Sequence, residues 1–178
     1  MRLFLAINLN EEIRDYLSEA IQRLKRNASG GSFTRRENLH LTLVFLGETR
    51  EDKLNAVKRA MDRVEGGPFR LSFQGFGRFN RRGGDIHWAG VDRAEALLSV
   101  QKRLSEALAE EGFSLENREY APHLTLGREV RVSGPSEDIY GSLAGERHEM
   151  SVSRISLMRS ERIGGTLVYT EIYAKELF

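Results

Sequence analysis

The chain has 178 residues, 40% hydrophobic and 30% charged, enough for one domain or two small lobes sharing a core. Its 27 Lys+Arg and 26 Asp+Glu leave a net charge of +1. That argues against a DNA-coating polycation and assigns any nucleic-acid contact to local Arg clusters. The absence of cysteine excludes a disulfide framework, thiolate zinc sites and a Cys nucleophile.

The opening MRLFLAINLN lacks the h-region and cleavage site of a signal peptide. No apolar run approaches the ~18 residues of a membrane span, so the expected location is cytoplasmic, with no membrane partner. Residues 2–8 predict a strand. Asn10 is a plausible N-cap for a helix carrying Ile13, Leu17, Ile21 and Leu24 at helical spacing and ending before Ser29-Gly30-Gly31. A strand over 39–46 closes at Gly47, and a helix over 51–64 stops at Gly66-Gly67-Pro68. Strands at 69–76 and 85–91 flank a loop containing Asn80-Arg81-Arg82-Gly83-Gly84, and a third helix spans 94–110. A strand at 123–129 follows, then an irregular segment at 131–144. Strands at 148–158 and 166–175 close the chain around a Gly164-Gly165 turn.

The tetrapeptide His-Leu-Thr-Leu occurs twice, at 40–43 and 123–126. The order strand, helix, motif strand on one side and helix, motif strand, strands on the other is an approximate repeat. The simplest architecture is a duplicated α+β unit of antiparallel sheets with outer helices and a central cleft. Side chains alternate along a strand, so His40 and Thr42 share one face and Leu39, Leu41 and Leu43 the other; His123 and Thr125 alternate likewise with Leu124 and Leu126. Two imidazoles and two hydroxyls facing one ligand suit cleavage of a phosphodiester. One imidazole takes the proton of the attacking oxygen and the other gives one to the leaving oxygen. The hydroxyls, with Arg128 five residues after His123, stabilise the charge that builds on the phosphate.

A single His-x-Thr reads as a strand histidine bonded locally. A duplicated structural strand without chemistry remains a reading of two copies, but it gives the paired His and Thr no purpose. A metal site is a minor alternative, since neither motif has a His-x-x-x-His or an adjacent carboxylate. No G-x-S-x-G elbow or P-loop is present.

Duplicated H-x-T-x motifs resemble those of the 2H phosphoesterase superfamily. ENLHLTLVFLGE at 37–48, IHWAGV at 86–91 and YAPHLTLGR at 120–128 resemble its RNA 2′,3′-cyclic phosphodiesterases, also called 2′-5′ RNA ligase-like proteins, as do RLFLAI and LMRSERIGGTLVYTEIYAKELF at the two ends. The resemblance covers nearly the whole chain. It implies one domain over residues 1–178 made of two pseudo-symmetric lobes, needing no cofactor and no metal. It implies hydrolysis of an RNA 2′,3′-cyclic phosphate to a 2′-phosphomonoester, on RNA ends including tRNA fragments. The modest charge and the absence of heptads point to a monomer. His40 would be the proton donor and His123 the acceptor, with Thr42, Thr125 and Arg128 on the phosphate. The motifs alone, being nearly symmetric, leave donor and acceptor unassigned. Two alternatives stand beside this: 2′-5′ ligation by the reverse reaction, and a non-catalytic RNA- or nucleotide-binding module.

Secondary candidates are weaker. His87 reads as a solvent-facing or locally bonded strand histidine, Trp88 as core and His148 as exposed. Arg35, Arg36, Arg78, Arg81 and Arg82 are either a solvated surface or contacts to RNA phosphates. One of Phe33, Phe76, Phe79 and Tyr120 is expected to stack on the terminal base, and Ser160 is a candidate lining residue.

Overall fold

The computed structural model describes residues 1–134 and 138–178. Part of the irregular segment expected at 131–144, residues 135–137, lies outside the described residues. The elements are β1 (Arg2–Asn8), α1 (Glu11–Asn27), β2 (Ala28–Phe33), β3 (His40–Glu48), α2 (Leu54–Asp62), β4 (Phe69–Phe79), β5 (Asp85–Val91), α3 (Glu95–Glu110), β6 (His123–Val132), β7 (Arg147–Val152), β8 (Arg154–Ile163) and β9 (Thr166–Glu176).

The α1 start follows the sequence reading: the Asn10 side chain accepts a hydrogen bond from the Ile13 N–H at 3.0 Å, satisfying one of the orphan donors of the first turn. Glu11 and Glu12 in that turn and Lys25 and Arg26 in the last complement the helix dipole. The buried stripe of Ile13, Leu17, Ile21 and Leu24 seats α1 against β2, β6 and β7, while α3 packs on β3 and β4 and α2 on α3 and β9.

Two antiparallel sheets result, ordered β3-β1-β8-β9 and β2-β6-β5-β4-β7. In each, the motif strand lies beside a central strand, β3 beside β1 and β6 beside β5. The sheets do not follow the two halves of the chain, because β8 and β9 return to the first sheet. Leu3, Leu5, Ile7 and Leu41 from one sheet and Phe73, Leu124 and Leu126 from the other join one core with the helical stripes. Full burial of each such side chain contributes roughly 1.5–3 kcal/mol. Among the described residues no helix is long and apolar enough to cross a membrane.

Three local differences from the sequence reading have physical causes. Residues 28–33, read as a helix stop, form β2, a glycine-bearing edge strand that pairs with β6 and has little apolar signal of its own. The strand read at 148–158 is two strands broken at Ser153, β7 pairing with β4 and β8 with β1. The helix read at 51–64 begins as a 3-10 turn over Glu51–Lys53 before α2.

Candidate active site

β3 and β6 lie against one another, and the leucines of both join one core. Leu39, just before β3, and Leu41 and Leu43 on it are buried in the core, whereas His40 and Thr42 are partly exposed on the other face. On β6, Leu124 and Leu126 are buried, and His123 and Thr125 are partly exposed.

Each motif histidine is clamped in the same way. His40 Nδ1 lies 2.7 Å from the Asn38 carbonyl oxygen and His123 Nδ1 lies 2.7 Å from that of Ala121. A carbonyl only accepts, so Nδ1 carries the hydrogen in both rings. In the neutral ring the lone pair is therefore on Nε2. The clamp is built from the chain two residues upstream. Asn38 ends a 3-10 turn and its amide donates to the Leu167 carbonyl at 3.0 Å. Ala121 precedes Pro122, which favours an extended backbone at that position.

Around His40 the site is closed. The Thr42 hydroxyl lies 2.9 Å from Nε2. Phe4 packs on the ring at a centroid distance of 4.7 Å, and Tyr169 meets it edge-on at 5.2 Å. Burial pushes the His40 pKa down from its usual 6.5; the Asn38 bond opposes this, and the charges of Arg14 and Arg128 add to it. Arg128 therefore bears electrostatically on a histidine of the other sheet. It is exposed, and among the described residues it forms no ion pair. Its strand carries a bulge, since His87 pairs with Gly127 and Asp85 with Val130. The next residue, Glu129, takes a φ of 53°, a local kink of the kind that re-aims side chains beside active sites.

Around His123 the site is open. Its cross-strand neighbour is Gly90, and Phe79 meets its ring edge-on at 5.3 Å. Trp88, opposite Thr125 in the ladder, lies on the same face; its indole covers Gly77, where a Cβ would come within 2.2 Å of the ring. Tyr120, upstream of the second motif, donates from its hydroxyl to the Thr42 carbonyl at 2.8 Å. Thr34 donates likewise to the Thr125 carbonyl at 2.8 Å. Both motif strands are thus braced at their threonine by a hydroxyl from outside the strand.

The secondary candidates sort themselves by contact. His87 is buried, 3.2 Å from the Tyr140 hydroxyl, while Trp88 is the partly exposed one, the reverse of a core tryptophan. His148 is not exposed but stacks on Tyr16 at 4.1 Å and lies 2.9 Å from Glu146. Arg35, Arg36 and Arg78 are tied to Glu37, to Glu11 with Asp15, and to Asp85. Arg81 lies over the Phe79 ring at 5.8 Å. Phe33 packs against the core, Phe76 stacks on Tyr140, and Tyr120 is the strand brace. Of the four aromatic candidates, Phe79 is the one in contact with a motif ring. Ser160 pairs with Tyr169 and Arg2 on the face of His40. Sequence reasoning missed Phe4, Asn38 and Tyr169. The one signal available was the alternation of Phe4, Ala6 and Asn8 in β1, which an otherwise apolar strand disguises. Among the described residues no group of three or more His, Asp or Glu converges as a metal-ligand set.

The family model for the 2′-5′ RNA ligase superfamily matches residues 13–164. A Methanothermobacter thermautotrophicus protein named RNA 2′,3′-cyclic phosphodiesterase is 37% identical over 181 aligned positions, covering 97% of this chain and 96% of its own. A Thermotoga maritima protein of the same name is 32% identical, covering 97% and 94%. A Thermus thermophilus crystal structure superposes with a TM-score of 0.82 at 28% identity, covering 99% of this chain and 97% of its own. E. coli LigT complexed with 3′-AMP gives 0.79 at 26%, with the same coverage. The α+β fold and the resemblance drawn from the duplicated motifs are both borne out: the chain belongs to the 2′-5′ RNA ligase superfamily.

Proposed function

We propose that the protein is an RNA 2′,3′-cyclic phosphodiesterase that opens a terminal cyclic phosphate to a 2′-phosphomonoester. The observation that carries the proposal is the pair of motif histidines clamped through Nδ1, which leaves Nε2 of each as the atom that exchanges a proton. The names of the curated relatives support the reaction class.

In the proposed mechanism His123, the more accessible ring, takes a proton from water at Nε2 as the water oxygen attacks phosphorus. The bond from phosphorus to the 3′ oxygen breaks, and His40 delivers a proton from Nε2 to that oxygen. Thr42, Thr125 and Arg128 hold the non-bridging oxygens as charge grows on them. The closed surroundings of His40 oppose its protonation in the free protein. An entering phosphate anion offsets the Arg128 charge and favours the imidazolium, so the acid is armed by substrate. The substrate is the end of an RNA, tRNA fragments included, and the working form is a cytoplasmic monomer requiring no metal.

The test is hydrolysis of an RNA ending in a 2′,3′-cyclic phosphate, in excess EDTA, with the product phosphate located. A 2′-phosphate formed at an undiminished rate is expected. A 3′-phosphate, or loss of activity in EDTA, overturns the reading. Joining of RNA halves through a 2′-5′ bond in the same assay would identify the reverse reaction.

A further inference from the structure

Tyr120 is a half-buried phenol to which the proposed mechanism gives no task. It stands three residues before His123, yet its hydroxyl donates to the Thr42 carbonyl of the other motif at 2.8 Å. Among the described residues this is the one hydrogen bond between β3 and residues 119–132. β3 is an edge strand of its sheet, so side chains from outside reach its carbonyls. Gln101 of α3 likewise donates to that of Leu43 at 3.3 Å. The Tyr120 ring packs against the core. Burial pushes its pKa up from the usual 10, so the hydroxyl keeps the proton that it donates.

That contact completes a route between the two imidazoles. The Thr42 hydroxyl lies 2.9 Å from His40 Nε2, and the Thr42 carbonyl takes the Tyr120 hydroxyl. The residue after Tyr120, Ala121, supplies the carbonyl that clamps His123 Nδ1 at 2.7 Å. Arg93, between β5 and α3, holds the Tyr120 carbonyl at 2.9 Å. The other supports of the motifs stay within one sheet. The Asn38 amide reaches Leu167 on β9, and Thr34, which donates to the Thr125 carbonyl, follows β2 beside β6. Acid and base must meet one phosphorus in a fixed alignment, so the separation of the two rings is a condition of rate. Hydrophobic contact between the sheets is non-directional, whereas a hydrogen bond fixes a distance and an angle.

We propose that Tyr120 is a positioning residue that sets the separation of His40 and His123 by tying the second motif to the backbone of the first. This role rests on the two-histidine reading above. Tyr120 exchanges no proton with the substrate and acts on kcat by aligning the rings.

The test is a double-mutant cycle on an RNA ending in a 2′,3′-cyclic phosphate. Tyr120→Phe keeps the packed ring and should lower kcat about tenfold with KM nearly unchanged. In a His40→Ala background no pair is left to align, so the same substitution should cost less than about twofold. Titration with uridine vanadate, whose five-coordinate vanadium mimics the transition state, needs no turnover. Tyr120→Phe should weaken its binding about tenfold in the unaltered protein and leave it unchanged in His40→Ala. An undiminished kcat in Tyr120→Phe, a loss carried by KM, or the same loss in both backgrounds overturns the role. The last result is what a brace acting on the fold in general would give. If the unaltered protein leaves the cyclic end intact, the phosphodiesterase reading fails instead, and the vanadate titration still decides the role of Tyr120.

Discussion

The two copies of His-Leu-Thr-Leu have the same sequence and the same Nδ1 clamp, yet they sit in different surroundings. His40 has Asn8 as its cross-strand neighbour, Phe4 and Tyr169 against its ring, and the Thr42 hydroxyl on Nε2. His123 has a glycine for its neighbour and one aromatic edge beside it. The backbone two residues before each motif therefore fixes which ring nitrogen is left free, while the flanking strands set how readily that nitrogen holds a proton. Symmetric motifs in asymmetric surroundings are compatible with the proposed reaction, which uses one acid and one base.

The largest expected effect removes either ring. His40→Ala and His123→Ala should each lower kcat by about 10²–10⁴-fold. The two separate on a phosphodiester with a p-nitrophenolate leaving group, which departs without a proton. On it His40→Ala should recover most of its loss and His123→Ala none, measured by nitrophenolate release; equal recovery would break the assignment of roles. Next comes Arg128→Ala, which should cost about 10²-fold in kcat/KM. Arg128→Lys should restore only part of that, because a point charge replaces a fork. Full activity in Arg128→Ala would mean that its charge takes no part in the reaction. The smallest effect is on stability. Burial holds His40 and His87 below their usual 6.5, so the unfolded chain binds protons that the fold excludes. Their contribution is complete above pH 6.5 and declines as pH falls from there toward the lowered values. Thermal midpoints followed between pH 5 and 8 should show this decline, with a flatter acid side in His40→Asn. An unchanged slope would mean that the closed surroundings do not act on its proton.

That His40 and Thr42 share one face, and His123 and Thr125 another, was legible because alternation needs only four consecutive residues, and the Asn10 cap and the α1 stripe were legible for the same local reason. The enclosure of His40 was not, because its walls come from β1 and β9, far away in the chain. Trp88 was misread because size argues for the core, whereas the missing side chain at Gly77 makes room for the indole on the surface of β4. The bulge that turns both Leu43 and Val44 into the core is a property of the pairing of β3 with β1 and leaves no local mark. The sequence does carry a mark of the break between β7 and β8. The apolar positions shift parity between Met150, Val152 and Ile155, Leu157, which is the trace of a chain leaving one sheet for another.

The return of β8 and β9 to the first sheet bears on how the protein is made. β1 and β3 emerge early from the ribosome, but the strand that pairs with the other side of β1 and the Tyr169 that closes over His40 arrive with the final stretch of synthesis. Such long-range pairing is slow to form. It also ties the site to completion of the chain: a nascent chain halted before β8 carries His40 and His123 but lacks the Tyr169 wall of the His40 pocket.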